Sequence, residues 1–261
     1  MKHCLALLFM CLAFPALSAP KAERWDYWDV NQPQSQQIVD HSTWQALLDR
    51  YLITQDQNTL FLYSQVSSSD KQRLHDYLSN LTTQDPRQLN QAQQFAYWVN
   101  LYNALTVNLI LEHYPITSIT KLGGLFSFGP WDQDITTING KALTLNDIEH
   151  RILRPIWQDK RIHYAVNCAS LGCPNLLPTA FTATNTEQLL TQAESAFVHS
   201  LKGVAVKGSK LQLSSIYEWY AADFGGEAGV LSYLETLRPE IGDTNKKPSY
   251  RYNWDLNSIK Y

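Results

Sequence analysis

Glycine and proline are scarce, at 11 each in 261 residues, while aromatic side chains make up 12%. That composition excludes collagen-like and intrinsically disordered chains. Lys plus Arg number 21 against 24 Asp plus Glu, net charge -3, with no basic run. A nucleic-acid partner is therefore not expected, because phosphate neutralisation needs a clustered positive field. Beyond the first segment no stretch reaches the roughly 18 apolar residues of a membrane-spanning helix. Also missing are a G-x-S-x-G elbow, an H-E-x-x-H helix, a phosphate-binding GKS or GKT loop, and a G-x-G-x-x-G turn between strand and helix. Nucleotide hydrolysis and zincin proteolysis drop out with them.

Residues 1–18, MKHCLALLFMCLAFPALS, carry one cation at Lys2, an apolar run from Cys4 to Phe14, the breaker Pro15, and small residues at Ala16, Ser18 and Ala19. This pattern reads as a secretory signal peptide cut after Ser18, since a cut after Ala19 would put Pro20 at the scissile bond. A lipid anchor on Cys11 competes with it, but Met10 is too bulky before a modified cysteine. The mature chain is thus expected to be exported, periplasmic or secreted, with a polar, loosely ordered arm at 19–40 and one globular domain at 41–261.

The hydrophobic spacing predicts helices opening at Ser42, at Ser69 or Asp70, and across Leu89–His113, the last apolar nearly all round and hence central. ITTINGKALTL alternates about Asn139-Gly140, a type I′ hairpin signal. Thr144 is expected to cap a helix that Pro155 ends, and Ile162–Val166 reads as a short strand. Residues 186–201 form a further amphipathic helix, VAVKGSKLQL a second hairpin, SSIYEWYAADFG and EAGVLSYLETLR short helices, and YRYNWDLN a last strand. The balance is α+β, helix-rich, with a small antiparallel sheet.

Removal of the first segment leaves two cysteines, Cys168 and Cys173, within RIHYAVNCASLGCP. In an oxidising compartment they form a disulfide by default. Cys168, His163 and Glu149 are also the three residue types of a thiol acyl-transfer centre: nucleophile, proton carrier and orienting carboxylate. Side chains alternate along a strand, so Cys168 faces His163 only from a turn after it. A metal site would draw on His163, Cys168, Cys173 and His150, although C-x4-C with one histidine is looser than zinc spacing. Asn100 and Asn103 sit three apart in the central helix, where unpaired amides are costly; they either lock a loop or line a site. His41, His75, His113 and His199 read as surface or capping residues.

FAYWVNLYNALTVNLIL, LNDIEHRILRP, IHYAVNCASLGCPNL, LSSIYEWYAADFG and YNWDLN together resemble the successive motifs of the domain of unknown function 547 family, over residues 42–257. The resemblance is to the secreted bacterial members. It implies special status for Asn100, Tyr102 and Asn103, for Glu149 and Arg154, and for His163, Cys168, Cys173 and Pro174. Trp219, Asp223 and Phe224, then Trp254 and Asn257, complete its pattern. It also implies a distant relation to papain-like or transglutaminase-like cysteine enzymes. Plant members lack an obvious export signal yet keep both cysteines, which moves the reading from a structural disulfide towards a functional thiol pair.

The resulting expectation is an exported cysteine hydrolase or acyl transferase acting on amide or thioester bonds of a small peptide or cell-wall-like substrate, with no cofactor. Cys168 is its nucleophile, His163 its base, Glu149 its orienting carboxylate, and Asn100 or Asn103 its oxyanion donor. Cys173 is the alternative nucleophile, with Tyr102, Arg154, Trp219 and Asp223 around the site. The rival expectation is a noncatalytic peptide- or glycan-binding module stapled by Cys168 and Cys173, and a thiol-disulfide exchange partner stands third.

Overall fold

The computed structural model describes residues 20–124, 128–242 and 247–259. The expected signal peptide lies outside them. Of the described residues, 47% are helical and 12% strand, an α+β arrangement. Among the described residues no helix is long and apolar enough to cross a membrane.

Helix α1 (Ser42–Tyr51) has His41 rather than Ser42 at its N-cap, and the Asp40 carboxylate just before it accepts from the Ser42 amide. Strands β1 (Leu52–Gln55) and β2 (Asn58–Phe61) form a hairpin, and α2 (Ser68–Thr82) starts one or two residues earlier than its apolar stripe suggests because Ser67 accepts from the Asp70 amide. Asn90 caps α3 (Gln91–His113), which is buried on nearly every face, as a helix apolar all round must be. Its Tyr97, Trp98 and Tyr102 are each at most 1% exposed.

The hairpin of β3 (Thr136–Ile138) and β4 (Lys141–Leu143) turns at Asn139 and Gly140 with φ of 50° and 70°, the two left-handed residues of a type I′ turn. Thr144 and Asp147 then cap one another reciprocally, and the chain winds into a π-helix over Asp147–Leu153 that runs on into α4 (Arg154–Trp157). Pro155 sits inside this helix rather than ending it. Proline lacks an N–H for the preceding turn, but the His150 and Arg151 carbonyls accept instead from the Glu23 and Trp25 amides. The arm is accordingly packed, not loose. Trp28 is 1% exposed and meets Trp98 edge-on at 5.2 Å, and Arg87 and Arg151 lie over the rings of Tyr27 and Trp25.

Ile162–Ala165 is a helical turn, α5, and not a strand. Asp159 accepts from the Arg161 amide through its side chain and from the Ile162 amide through its carbonyl, which winds the backbone. Helix α6 (Thr186–Val198), strands β5 (Val204–Lys207) and β6 (Lys210–Ser214), and α7 (Ile216–Trp219) follow, then a 3₁₀ turn at Ala221–Phe224 and α8 (Glu227–Leu237). Strand β7 (Ser249–Arg251) joins β6 in parallel, so this last sheet is mixed where an antiparallel one was expected; the other pairings are antiparallel.

Two apolar clusters result. The larger surrounds α3; the smaller, with Phe197, Leu213, Tyr217 and Leu234, fills the space between α6, α8 and the mixed sheet. Helix α5 belongs to both, since Ile162 and Ala165 pack in the first and Tyr164 in the second. The turn that follows α5 therefore lies at their seam.

Candidate active site

The asparagines of α3 build that turn. Asn103 donates to the Ala165 carbonyl at 2.9 Å and accepts from the Asn167 amide at 2.8 Å, while Asn100 makes the same pair of bonds with the Phe181 backbone. Both are buried clamps on backbone, and neither lines the cleft that holds the cysteines, so the oxyanion role expected for them has no geometric support. Beyond Asn103 the chain reverses at Ala169, whose φ of 57° is unusual for a residue with a side chain. Asn167 accepts from the Ala169 amide, and the Asn257 amide donates to its carbonyl, so the conformation is held from both sides. Cys168 thus lies in a turn, and because α5 is helical the strand alternation that made a turn necessary does not apply.

The tail of the chain closes over this turn. Leu171 and Gly172 donate to the carbonyls of Asp255 and Asn253, and a Cβ on Gly172 would lie 2.6 Å from the Asn253 nitrogen. Only glycine permits the approach. It brings Tyr252 and Trp254 over Cys168, at the edge of a cleft of about 370 Å³ lined also by Tyr102, Trp131, Glu149, His163 and Trp219.

Cys168 is half-buried and Cys173 buried, and both are free thiols, so the disulfide staple is not formed. Their sulfurs are 3.0 Å apart, and the Cys168 sulfur also lies 3.0 Å from the Tyr252 hydroxyl and 3.2 Å from Ser170 Oγ. Burial raises the Cys168 pKa, but hydrogen bonds from Cys173, Ser170 and Tyr252 outweigh it and leave the thiol below its usual value. Burial and the neighbouring Cys168 push Cys173 well up. That contrast separates the two thiols and favours Cys168 as nucleophile.

His163 is 3% exposed and stacks on Tyr220 at 4.2 Å. Its Nε2 lies 2.7 Å from Asp223 Oδ2, and its Nδ1 is buried with no hydrogen-bond partner among the described residues, 3.8 Å from Glu149 Oε1. The carboxylate hydrogen-bonded to the imidazole is therefore Asp223, where Glu149 was expected; 3.8 Å is too long for a hydrogen bond. Arg154 grips Asp223 through Nε at 2.7 Å and Nη2 at 2.9 Å and donates from Nη1 to His150 Nδ1 and the Pro20 carbonyl. Burial raises the Asp223 pKa, but the bonds from His163 and Arg154 hold it far below the usual range. No hydrogen bond among the described residues joins His163 to Cys168.

Burial also raises the Glu149 pKa, but the neighbouring His150, His163 and Arg154 side chains outweigh it and bring it down to about 2. His150, desolvated and facing Arg154, is lowered to about 4. Among the described residues no group of three or more His, Cys, Asp and Glu is placed to hold a metal ion.

Residues 86–198 match the model of the family described as Protein of unknown function, DUF547. The chain carries a DUF547 domain. No curated protein and no solved structure matches it significantly. The DUF547 match runs from the turn before α3 to the end of α6, shorter than the 42–257 over which the motifs resemble the family. It contains Asn100, Asn103, Glu149, Arg154, His163 and both cysteines. Trp219, Tyr252 and Trp254 complete the cleft from outside it, and Asp223, which holds His163, also lies outside it. Ser170 and Tyr252 escaped the sequence reading: Ser170 had only its place two residues after Cys168 to mark it, and Tyr252 is 84 residues away.

Proposed function

We propose that the chain is an exported cysteine-dependent hydrolase or acyl transferase acting on amide or thioester bonds, of peptides or cell-wall fragments. One observation carries the reading. A half-buried thiol held below its ordinary pKa opens on the same cleft as an imidazole whose Nε2 is fixed by an ion-paired carboxylate and whose Nδ1 is unpartnered. Asp223 keeps the proton on Nε2, which leaves the Nδ1 lone pair as the base.

In the proposed reaction the Cys168 thiolate attacks the carbonyl carbon, a C–S bond forms, and the C–N or C–S bond to the leaving group breaks. The thiol proton passes to Nδ1 and on to the leaving group. Water, losing a proton to Nδ1, or an acceptor amine then cleaves the thioester and restores the thiol. Because Cys168 and His163 are not hydrogen-bonded, the proton travels through substrate or one water. Export rests on the pattern of residues 1–18.

Alkylation of the folded, unreduced protein over a range of pH, with the label located by mass spectrometry, tests the nucleophile. Fast labelling of Cys168 below the ordinary thiol pKa is expected, with Cys173 unlabelled. Labelling of neither before reductant is added would support the stapled binding module instead. Cys168→Ala should abolish turnover of an identified substrate and leave the fold intact.

A further inference from the structure

The cleft has a marked charge and surface character. Among the described residues that line it there is no lysine or arginine, while Glu149 stands inside and Asp132 at its rim. Glu149 has a side chain only 8% exposed, and its neighbours within ion-pair distance are the imidazoles of His150 and His163, each at 3.8 Å. His150 accepts from Arg154 at Nδ1 and is neutral at neutral pH, so it supplies no counter-charge. Arg154, the nearest guanidinium in this network, is committed to Asp223. A buried carboxylate without a bonded cation is costly, and the same pocket holds the orphaned Nδ1 of His163.

Much of the remaining lining is aromatic. Trp219 and Trp254 stack with centroids 5.6 Å apart, Trp131 meets Trp254 at 5.6 Å, and Phe128 lies against both Trp131 and Trp254. Phe128 is 47% exposed, so this lining continues to the surface. Ring faces attract cations, tryptophan most strongly, and the attraction grows when water is excluded. An anionic substrate would meet two carboxylates and a thiolate instead.

We infer that the cleft takes an alkylammonium group of the substrate, seated among Glu149, Asp132 and the tryptophan rings. This deepens the acyl-transfer reading and rests on it for the word substrate: either the amide or thioester attacked by Cys168 carries an ammonium group, or the acceptor amine binds as an ammonium ion and gives a proton to His163 Nδ1 before it attacks the thioester. Two sources share the chemistry, a lysine side chain and a free α-amine.

The test is binding to the Cys168→Ala full mature chain, read by tryptophan fluorescence, so that turnover plays no part. Nα-acetyl-lysine amide presents the side-chain ammonium, norleucine amide the α-ammonium, and Nα-acetyl-norleucine amide neither. At least one cationic ligand should bind about tenfold more tightly than the neutral one, and the ligand that does so names the source. Glu149→Gln, and separately the exposed Asp132→Asn, should erase part of that preference while neutral binding persists. Equal or weaker binding of both cationic ligands, or no saturable binding by either, overturns the inference. Because the protein used lacks the thiol, failure here leaves the Cys168 labelling result standing, and failure of the labelling leaves this result standing.

Discussion

Asp223 Oδ2 lies 2.7 Å from His163 Nε2 and the same distance from Arg154 Nε, so one carboxylate oxygen joins the imidazole to a guanidinium that is 5% exposed. Orientation of the histidine and neutralisation of the arginine are thereby the same interaction. The buried arginine depends on Asp223 as much as His163 does.

Asp223→Asn should therefore destabilise the protein by on the order of 3 kcal/mol at neutral pH, because it leaves a buried guanidinium without its counter-charge. The folded Asp223 pKa is depressed, so the lost stabilisation is one present above the unfolded value near 3.8 and lost as pH falls below it. The gap between the two proteins in urea unfolding should narrow on acidification below pH about 4. A gap that persists undiminished in acid would argue that packing, and not charge, was removed.

Asn100 and Asn103 offer a paired comparison. Each makes one donor and one acceptor bond to buried backbone, so truncation to alanine should cost about 2–4 kcal/mol at either position. Only Asn103 clamps the turn that carries Cys168. Asn103→Ala should also change the alkylation rate of Cys168, and Asn100→Ala, which frees Phe181, should not. Equal effects on labelling would mean that the turn is held by Asn257 and the tail rather than by α3.

Acid should weaken the fold before any carboxylate titrates. His41 and His150 are both desolvated, and their pKa values fall from 6.5 to about 4. The unfolded chain binds these protons below about pH 6.5 and the folded chain does not, so stability rises with pH between about 4 and 6.5. His41→Asn, which can still accept from Tyr77, should remove about one proton from that slope, or roughly 1.4 kcal/mol per pH unit. Denaturant unfolding at several pH values checks it; an unchanged slope would mean that His41 charges without unfolding.

What could be read along the chain and what could not divides by distance. Helix α3 and the Asn139-Gly140 turn were legible because periodicity and left-handed preference are local. Ile162–Val166 misled because a run of five residues is too short to separate the two periods, and the deciding interaction was the Asx turn of Asp159. His41 does stand at the N-cap of α1, but its side chain makes no cap bond and is buried against Tyr77, 36 residues away. Pro155 misled in another way: the carbonyls it leaves open are met by the Glu23 and Trp25 amides of an arm that reads as polar and loosely ordered. In the site, the motif resemblance marked Asp223 without its partner. The partner is a tertiary fact, as is the displacement of Glu149 from the orienting role.

The Tyr252 hydroxyl is the donor to Cys168 that can be removed with least disturbance. Phenylalanine there keeps the ring that packs on Trp219 at 4.9 Å and Trp254 at 4.5 Å and deletes only the O–H. Hydrogen bonds to a charged acceptor are worth about 1.5–3 kcal/mol, or one to two pKa units. The donor favours the thiolate, so its loss raises the Cys168 pKa. The thiolate fraction at pH 7 then falls, and alkylation of Tyr252→Phe should be about tenfold slower than wild type. The two rates should converge at a pH above both thiol pKa values, where each protein is fully ionised. Ser170 Oγ has one proton for two neighbours, the Tyr252 hydroxyl and the Cys168 sulfur, and with that hydroxyl gone the proton is left to the sulfur. Ser170→Ala added to Tyr252→Phe should therefore slow labelling further than either change alone. Wild-type labelling rates across the whole pH range in both the single and the double variant would show that Cys173 alone sets the thiolate, and the assignment of Tyr252 to the site would fall.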